Sequence, residues 1–195
     1  MLRGWQTTFD AGLVVTAAGT GQSLAFVERR VGGSDVEQRI EPLLRRSFEE
    51  LERLGDRAFL PTIALDLAQC VMRQGRDEEA RALCDFAREG TLPDDTINFL
   101  YLDATGAHLA AREGRLEEAE RLARRGLELA DTTDFFGARG MRARGTIAEI
   151  LELCGKADEA AAVAGQGIAI HEAKGDVAGA AALREQLSRA GVELV

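Results

Sequence analysis

The chain has little positive charge for its length. Lys and Arg total 24 against 33 Asp and Glu, which leaves a formal net charge of −9 over 195 residues. A protein that follows a phosphate backbone needs concentrated Lys and Arg, because these side chains displace the counterions held by nucleic acid. The sequence therefore predicts no nucleic-acid partner.

Cysteine and histidine are equally scarce, with three and two residues respectively. Cys70, Cys84 and Cys154 are odd in number and widely and unequally spaced, which fits neither a disulfide framework nor a zinc site. The histidines, His108 and His171, have no partner at metal-ligand spacing. We expect no metal, no cofactor and a reducing cytoplasmic location.

Long apolar runs are also missing. The uncharged stretch 11–27 includes Thr, Gln, Ser and Gly, so it is too short and too polar to span a membrane. The acidic residue Asp10 directly precedes this stretch, which argues against a signal peptide. The sequence predicts neither a membrane span nor a secretory leader.

Aromatic residues make up only 5% of the chain and proline occurs three times, whereas there are 21 glycines. Helices built from small side chains approach each other closely. This composition favours an all-α fold.

An internal repeat lies in the C-terminal two thirds of the chain. Three segments align, Gln74–Ala80, Glu113–Ala119 and Cys154–Ala160, and each has a glycine at its second position. Small side chains recur at fixed distances from these glycines: Ala68, Ala107 and Ala148 before them, and Cys84, Ala123, Ala164, Ala87, Gly126 and Gly167 after them. The period of about 40 residues is typical of helical hairpins whose helices cross at small residues.

In this interpretation each glycine ends the first helix of a hairpin, and the acidic residues that follow begin the second helix at its positive dipole end. The pattern predicts six helices over 58–74, 77–89, 95–113, 116–130, 136–154 and 157–173.

The flanking segments extend the pattern. Residues 1–57 read as a divergent first hairpin, whose second helix covers 35–54 and contains Pro42, which should kink it or shift its start. Residues 58–175 hold three clear repeats, and 176–195 hold a capping helix. We expect one domain over 1–195, a right-handed superhelix of about four hairpins.

The pattern resembles the tetratricopeptide repeat, although its period is longer than the unit of about 34 residues typical of that family. The chain also resembles the C-terminal helical-repeat tail of bacterial signalling ATPases, class III nucleotide cyclases and related helix-turn-helix regulators. That likeness covers about three quarters of the chain and is carried by 51–60, 113–123, 130–135, 155–160 and 174–177. It implies a scaffold or regulatory role, and no cyclase or ATPase motif is present.

One segment near the N-terminus looks like a phosphate-binding loop. Thr16–Ser23 follows an apolar Leu13–Val15, but Thr16 replaces the first glycine of that motif and Gln22 replaces its lysine. An irregular glycine-containing helix fits these residues better than a loop.

The tetratricopeptide interpretation places one set of side chains on the groove side of the first helix of each hairpin. The candidate groove residues are Thr62, Leu65, Gln69, Arg73, Tyr101, Ala104, His108, Arg112, Arg142 and Glu149. They form either a peptide-contact surface or an ordinary solvated face, and the sequence leaves both open.

We therefore expect a non-catalytic scaffold that binds a peptide or partner domain along this groove. The alternative is a regulatory C-terminal tail of a larger cyclase or ATPase, with the partner in the same longer chain. Neither interpretation specifies the oligomeric state.

Overall fold

The computed structural model describes residues 2–31, 33, 35–135 and 138–193, and this part of the chain is all-helical, with no strand. The helices are α1 (Leu2–Asp10), α2 (Val14–Val31), α3 (Val36–Leu54), α4 (Leu60–Arg73), α5 (Asp77–Gly90), α6 (Thr96–Arg112), α7 (Leu116–Asp131), α8 (Gly145–Leu153), α9 (Ala157–Ala173) and α10 (Val177–Arg189), with a π-helical segment at Ala138–Arg144. The expected all-α class is confirmed.

The predicted helix at 136–154 needs a correction. Residues 136 and 137 lie outside the described residues, 138–144 form a π-helix, and only 145–153 are α-helical. A Cβ added to Gly140 would lie 2.6 Å from Nε2 of His171 on α9, so only glycine fits at this approach. Hydrophobic spacing does not reveal such a change of helix type. The other predicted boundaries agree within two residues.

The repeated glycines end helices α4, α6 and α8 as expected. Gly75, Gly114 and Gly155 have φ of +81°, +75° and +71°, which only glycine adopts without strain. The amide after each glycine donates to a carbonyl five residues earlier, as in Arg76 to Val71 (3.0 Å). This closes the Schellman motif and satisfies a carbonyl that the helix end would leave open.

Residues 16–23 lie inside α2, so the helix favoured by the sequence is confirmed and the phosphate-loop alternative is wrong. Thr20 Oγ1 donates to the carbonyl of Thr16 (2.8 Å), and Ser23 Oγ donates to that of Gly19 (2.9 Å). Both hydroxyls are therefore engaged by the helix backbone.

Pro42 does not shift the start of α3. The helix begins at Val36 and runs through the proline to Leu54. The buried residues Ile40, Leu43 and Leu44 flank Pro42 and hold this part of α3 in the interior.

Contacts group the chain into two compact units, Met1–Leu92 and Pro93–Val195. The boundary falls in the connector between α5 and α6. The expectation of one domain over 1–195, and of one superhelix, stays a prediction.

In the first unit, α2 packs on α3, α3 on α4, and α4 on α5. α1 packs on α2 and brings an edge-to-face aromatic pair into the core, with the Trp5 and Phe9 ring centroids 5.1 Å apart. The guanidinium of Arg46 lies over the Phe9 ring at 4.6 Å. α1 therefore covers apolar surface that α2 and α3 would otherwise expose.

In the second unit, α6 pairs with α7, α8 pairs with α9, and α10 packs on α9 and α8. Ala180, Leu183 and Leu187 of α10 are buried, whereas Val177 is exposed. The helix expected within 176–195 is thus present at 177–189 and turns its apolar face to the core.

The small residues of the repeat lie at helix crossings. Each of the alanines at 68, 107, 148, 87, 123 and 164 is at most 2% exposed, and Cys84 is 6% exposed. A Cβ added to Gly126 would lie 3.4 Å from Cβ of Asp103 on α6, and one added to Gly167 would lie 3.1 Å from Cβ of Arg144. The predicted close approach is confirmed at these positions.

The same ionic arrangement occurs in both units. On α3 and at the start of α5, Glu41 and Arg45 pair with Arg76 and Glu79, with Arg45 2.7 Å from both glutamates. In the second unit the corresponding members, two repeats later in the chain, are Glu120, Arg124, Lys156 and Glu159. Each set joins the second helix of one hairpin to the second helix of the next.

The first of these sets should make stability depend on acid pH. Burial opposes ionisation of Glu41, but hydrogen bonds from Arg45, Arg76 and Gln74 outweigh it and lower its pKa from 4.5 to about 2. Because the folded pKa is lowered, the stabilisation is complete above pH 4.5 and is lost as pH falls towards 2. We expect Glu41→Gln to cost about 1–2 kcal/mol at pH 7.

Urea unfolding of the wild type and Glu41→Gln between pH 7 and pH 2 measures this effect. The difference between the two proteins should shrink as the solution is acidified. Glu49→Gln, which removes a carboxylate elsewhere on α3, is the control. A difference that stays constant with pH would contradict the role given to Glu41.

Overpacking tests the helix crossing. Ala119 is fully buried, so Ala119→Leu should destabilise the protein by about 1–3 kcal/mol as the added atoms force α7 from its neighbours. Glu128→Gln on the exposed face of the same helix should change stability by less than about 0.5 kcal/mol. Equal unfolding free energies for the two variants would show that Ala119 does not lie at a tight crossing.

Candidate partner-binding face

Four of the candidate groove residues meet in pairs across neighbouring helices of the second unit. The first pair is Tyr101 on α6 and Arg142 on the π-helical segment. The Arg142 guanidinium lies over the Tyr101 ring at 4.1 Å from its centroid, and Tyr101 is 8% exposed. This geometry is a cation–π contact, which holds the guanidinium plane against the aromatic face.

The second pair is His108 and Glu149. His108 Nε2 lies 2.5 Å from Glu149 Oε2, and its Nδ1 donates to the carbonyl of Ala104 at 2.9 Å. One proton must lie between Nε2 and the carboxylate, since neither a bare imidazole nitrogen nor a carboxylate oxygen donates. The side chains are 16% and 13% exposed, so the contact is largely shielded from water.

Gln186 of α10 extends this contact to a third helix. Its Nε2 donates to Glu149 Oε1 at 2.8 Å, so the two oxygens of one carboxylate connect α6, α8 and α10. Gln186 is not among the residues predicted from the sequence. Its only signal there is its position between the buried Leu183 and Leu187, at the edge of the apolar face of α10.

The spacing of these pairs matches the repeat. The interval from Tyr101 to Arg142, like that from His108 to Glu149, equals the interval from Gly114 to Gly155. Equivalent positions of successive hairpins therefore face each other. We define the polar face of the second unit by its members: Tyr101, His108, Arg112, Arg142, Glu149 and Gln186.

Arg112 lies one helical turn beyond His108 and is exposed. Ala104, in contrast, is 3% exposed. Ala104 therefore supplies its carbonyl to His108 but cannot present its side chain to a partner in this conformation.

The candidate residues of the first unit lie on α4, and the structure separates them by burial. Leu65 is fully buried and Gln69 is 6% exposed, whereas Thr62 is partly buried and Arg73 is exposed. Leu65 is thus a core residue, and the expectation that it lines an open groove is not supported. Hydrophobic spacing could not separate these positions, because α4 is buried around most of its circumference.

A buried ionic cluster on α2, α3 and α4 has no counterpart among the sequence predictions. Arg29 pairs with Glu37 at 3.0 Å, and Gln22 Nε2 donates to the buried carboxylate of Asp66 at 2.7 Å. Burial alone would raise the pKa of Glu37, but the Arg29 guanidinium outweighs it and the pKa is lowered. This cluster fixes how α2 and α4 lie against α3.

None of the three thiols is activated. Burial raises the pKa of Cys70 to about 12 and that of Cys84 to about 11, and it also raises the pKa of Cys154. A thiol with such a pKa stays protonated at neutral pH and is a poor nucleophile. Cys84 therefore fills the small-residue position that alanine occupies in the other repeats.

The second histidine, His171, is fully buried. Its Nδ1 lies 2.8 Å from Asp176 Oδ2, and Asp176 Oδ1 accepts from the amide of Gly179 at 3.0 Å. Asp176 thus caps α10 and holds the imidazole at the end of α9. Within the described residues no group of three or more His, Cys, Asp or Glu side chains is arranged to hold a metal ion.

A scan against protein-family models and a search of curated proteins gave no match to this chain. No helix in the described part of the chain is long and apolar enough to cross a membrane.

The His108–Glu149 contact should contribute measurably to stability. A double-mutant cycle with His108→Ala and Glu149→Ala should give a coupling energy of about 1–2 kcal/mol, because both side chains are shielded from water. The matched control is Arg184 and Glu172, an exposed ion pair of the same unit, for which we expect less than about 0.5 kcal/mol. Urea unfolding supplies the four free energies of each cycle, and additive effects at His108 and Glu149 would rule out the contact.

Proposed function

We propose that the protein is a non-catalytic scaffold that binds a peptide or a partner domain on the polar face of the second unit. The observation that carries the proposal is the pairing of polar side chains across α6, α8 and α10 through the Glu149 carboxylate. Such pairing fixes polar groups in place before a partner arrives, which lowers the entropy cost of binding.

The rest of the chain supports a binding role more than a catalytic one. Both histidines join helices, and the thiols stay protonated. Helical-repeat proteins bind partners along extended faces of a rigid scaffold. We further propose that the hairpins continue as a right-handed superhelix of about four tetratricopeptide-like units in a cytoplasmic protein.

The second candidate is a regulatory tail of a larger nucleotide cyclase or ATPase, in which the partner is another domain of the same longer chain. It is supported by the resemblance over 113–123 and 155–160, segments that begin at the turn of a hairpin and continue into its second helix. An in-frame coding sequence for a cyclase or ATPase domain upstream of this chain would favour this candidate. An independent start would favour the free scaffold.

Peptide display tests the binding role without knowledge of the partner. The test variant combines Tyr101→Phe, His108→Gln and Arg112→Ala. Peptides selected on the wild-type protein should bind it at least about tenfold more weakly, because it lacks the charge of Arg112 and the shielded polar contact of His108. The control variant, Glu128→Gln with Arg184→Ala, changes exposed residues of the same unit and should bind as the wild type does. Circular dichroism checks that all three proteins keep their helicity. Selected peptides that bind the triple variant equally well would show that this face is not the binding site.

A further inference from the structure

The π-helical segment concentrates positive charge in an otherwise acidic protein. Residues 138–144 include Arg139, Arg142 and Arg144 and no acidic residue, whereas the whole chain carries a formal charge of −9. π-Helical turns are rare and are found frequently at functional sites. The segment is therefore a candidate site for an anionic ligand.

One carboxylate serves two of these arginines. Arg144 Nη2 lies 2.8 Å from Oδ1 of Asp131, and Arg139 Nη2 lies 3.8 Å from the same oxygen. Within the described part of the chain, Asp131 is the one carboxylate within ion-pair distance of either guanidinium. Two positive charges thus share one negative charge, which leaves an excess of positive charge.

The excess positive charge of Arg139 and Arg144 lies partly in the protein interior, where water screens it weakly. The Arg144 side chain is only 9% exposed, and its Nη1 donates to the carbonyl of Arg139 at 3.1 Å. The Nε atoms of both Arg139 and Arg144 are buried and have no hydrogen-bond partner in the described residues. The charge of Arg144 is therefore weakly screened by water, and it favours an oxyanion bound nearby through its field rather than through these buried donors.

The accessible part of the cluster belongs to Arg139 and Arg142. The Arg139 side chain is 34% exposed, and Arg142 is partly exposed where it stacks on Tyr101. Stacking uses the face of a guanidinium, whereas hydrogen bonds to a carboxylate use its edge. Tyr101 therefore fixes the plane of the Arg142 guanidinium at the partly exposed side of the cluster.

From this charge complementarity we propose that the partner of the polar face carries an acidic segment, whose carboxylates bind Arg139 and Arg142 beside the buried Arg144. The proposal rests on the proposed binding function and specifies the chemistry of the partner. A peptide with several Asp or Glu residues fits better than an isolated anion, because the two accessible arginines offer more than one point of attachment.

Fluorescence anisotropy with a labelled hexaglutamate peptide tests this proposal on the full chain. We expect binding by the wild type, no binding of the matched hexaglutamine peptide, and an affinity that falls as salt rises. Arg139→Gln with Arg142→Gln should weaken binding at least about tenfold. Arg184→Gln, which removes an exposed arginine of α10, should leave it unchanged.

A second double variant controls for misfolding. Arg139→Lys with Arg142→Lys keeps the charge and removes the planar fork, so its affinity should lie between those of the wild type and the Gln variant. Equal loss in Arg184→Gln, or no binding by the wild type, would overturn the proposal. So would a single-stranded oligonucleotide or inorganic phosphate that binds while hexaglutamate does not.

This test is separable from that of the proposed function. In one outcome, display selects neutral peptides whose binding depends on His108 and Arg112 but not on Arg139 and Arg142. That result would support the proposed binding face and contradict the proposal of an acidic partner. If hexaglutamate binds the arginines and the affinity of the display peptides does not depend on His108 and Arg112, the acidic site is supported and the polar face as binding site is contradicted.

Discussion

The close crossing of helices at undersized side chains is the constraint on which the rest of the structure depends. Ala119, Ala123 and Gly126 on α7 let α6 approach until a Cβ on Gly126 would lie 3.4 Å from Asp103. At that separation the polar side chains at the edges of the helices come within hydrogen-bond distance of their counterparts on the next helix. Larger residues at the crossing would separate the helices and break these pairs.

The turns follow from the same constraint. An antiparallel partner can lie close only if the chain reverses at once, and the left-handed glycines at 75, 114 and 155 make that reversal within the Schellman motif. The residue after each glycine is basic, and at 76 and 156 its side chain reaches a glutamate on the second helix of the preceding hairpin. Backbone capping and ionic contacts between hairpins therefore depend on the same short segments.

The helices could be predicted from the sequence because their signals are local. Glycine punctuation and the period of small residues place α4 to α9 within two residues, apart from the π-helical segment. The four residues of the Tyr101–Arg142 and His108–Glu149 pairs are all among the candidate groove residues, because they occupy equivalent positions of successive repeats; their pairing is seen only in the structure. Leu65, which is buried, could not be separated from Arg73, which is exposed, because burial depends on which helices surround α4. The roles of Gln186 and Asp131 could not be predicted because the contacts of both side chains depend on how the surrounding helices pack.

The π-helical segment combines a close steric approach with a cluster of positive charge. His171 is held by Asp176 and leaves room only for glycine at 140, and the backbone around this glycine is π-helical where the sequence pattern predicts an α-helix. Within this segment Arg142 stacks on Tyr101, while Arg139 and Arg144 share Asp131. The buried histidine thus packs against the segment that carries three arginines. The positive charge of this region therefore depends on how the fold brings the arginines together as well as on the amino-acid composition.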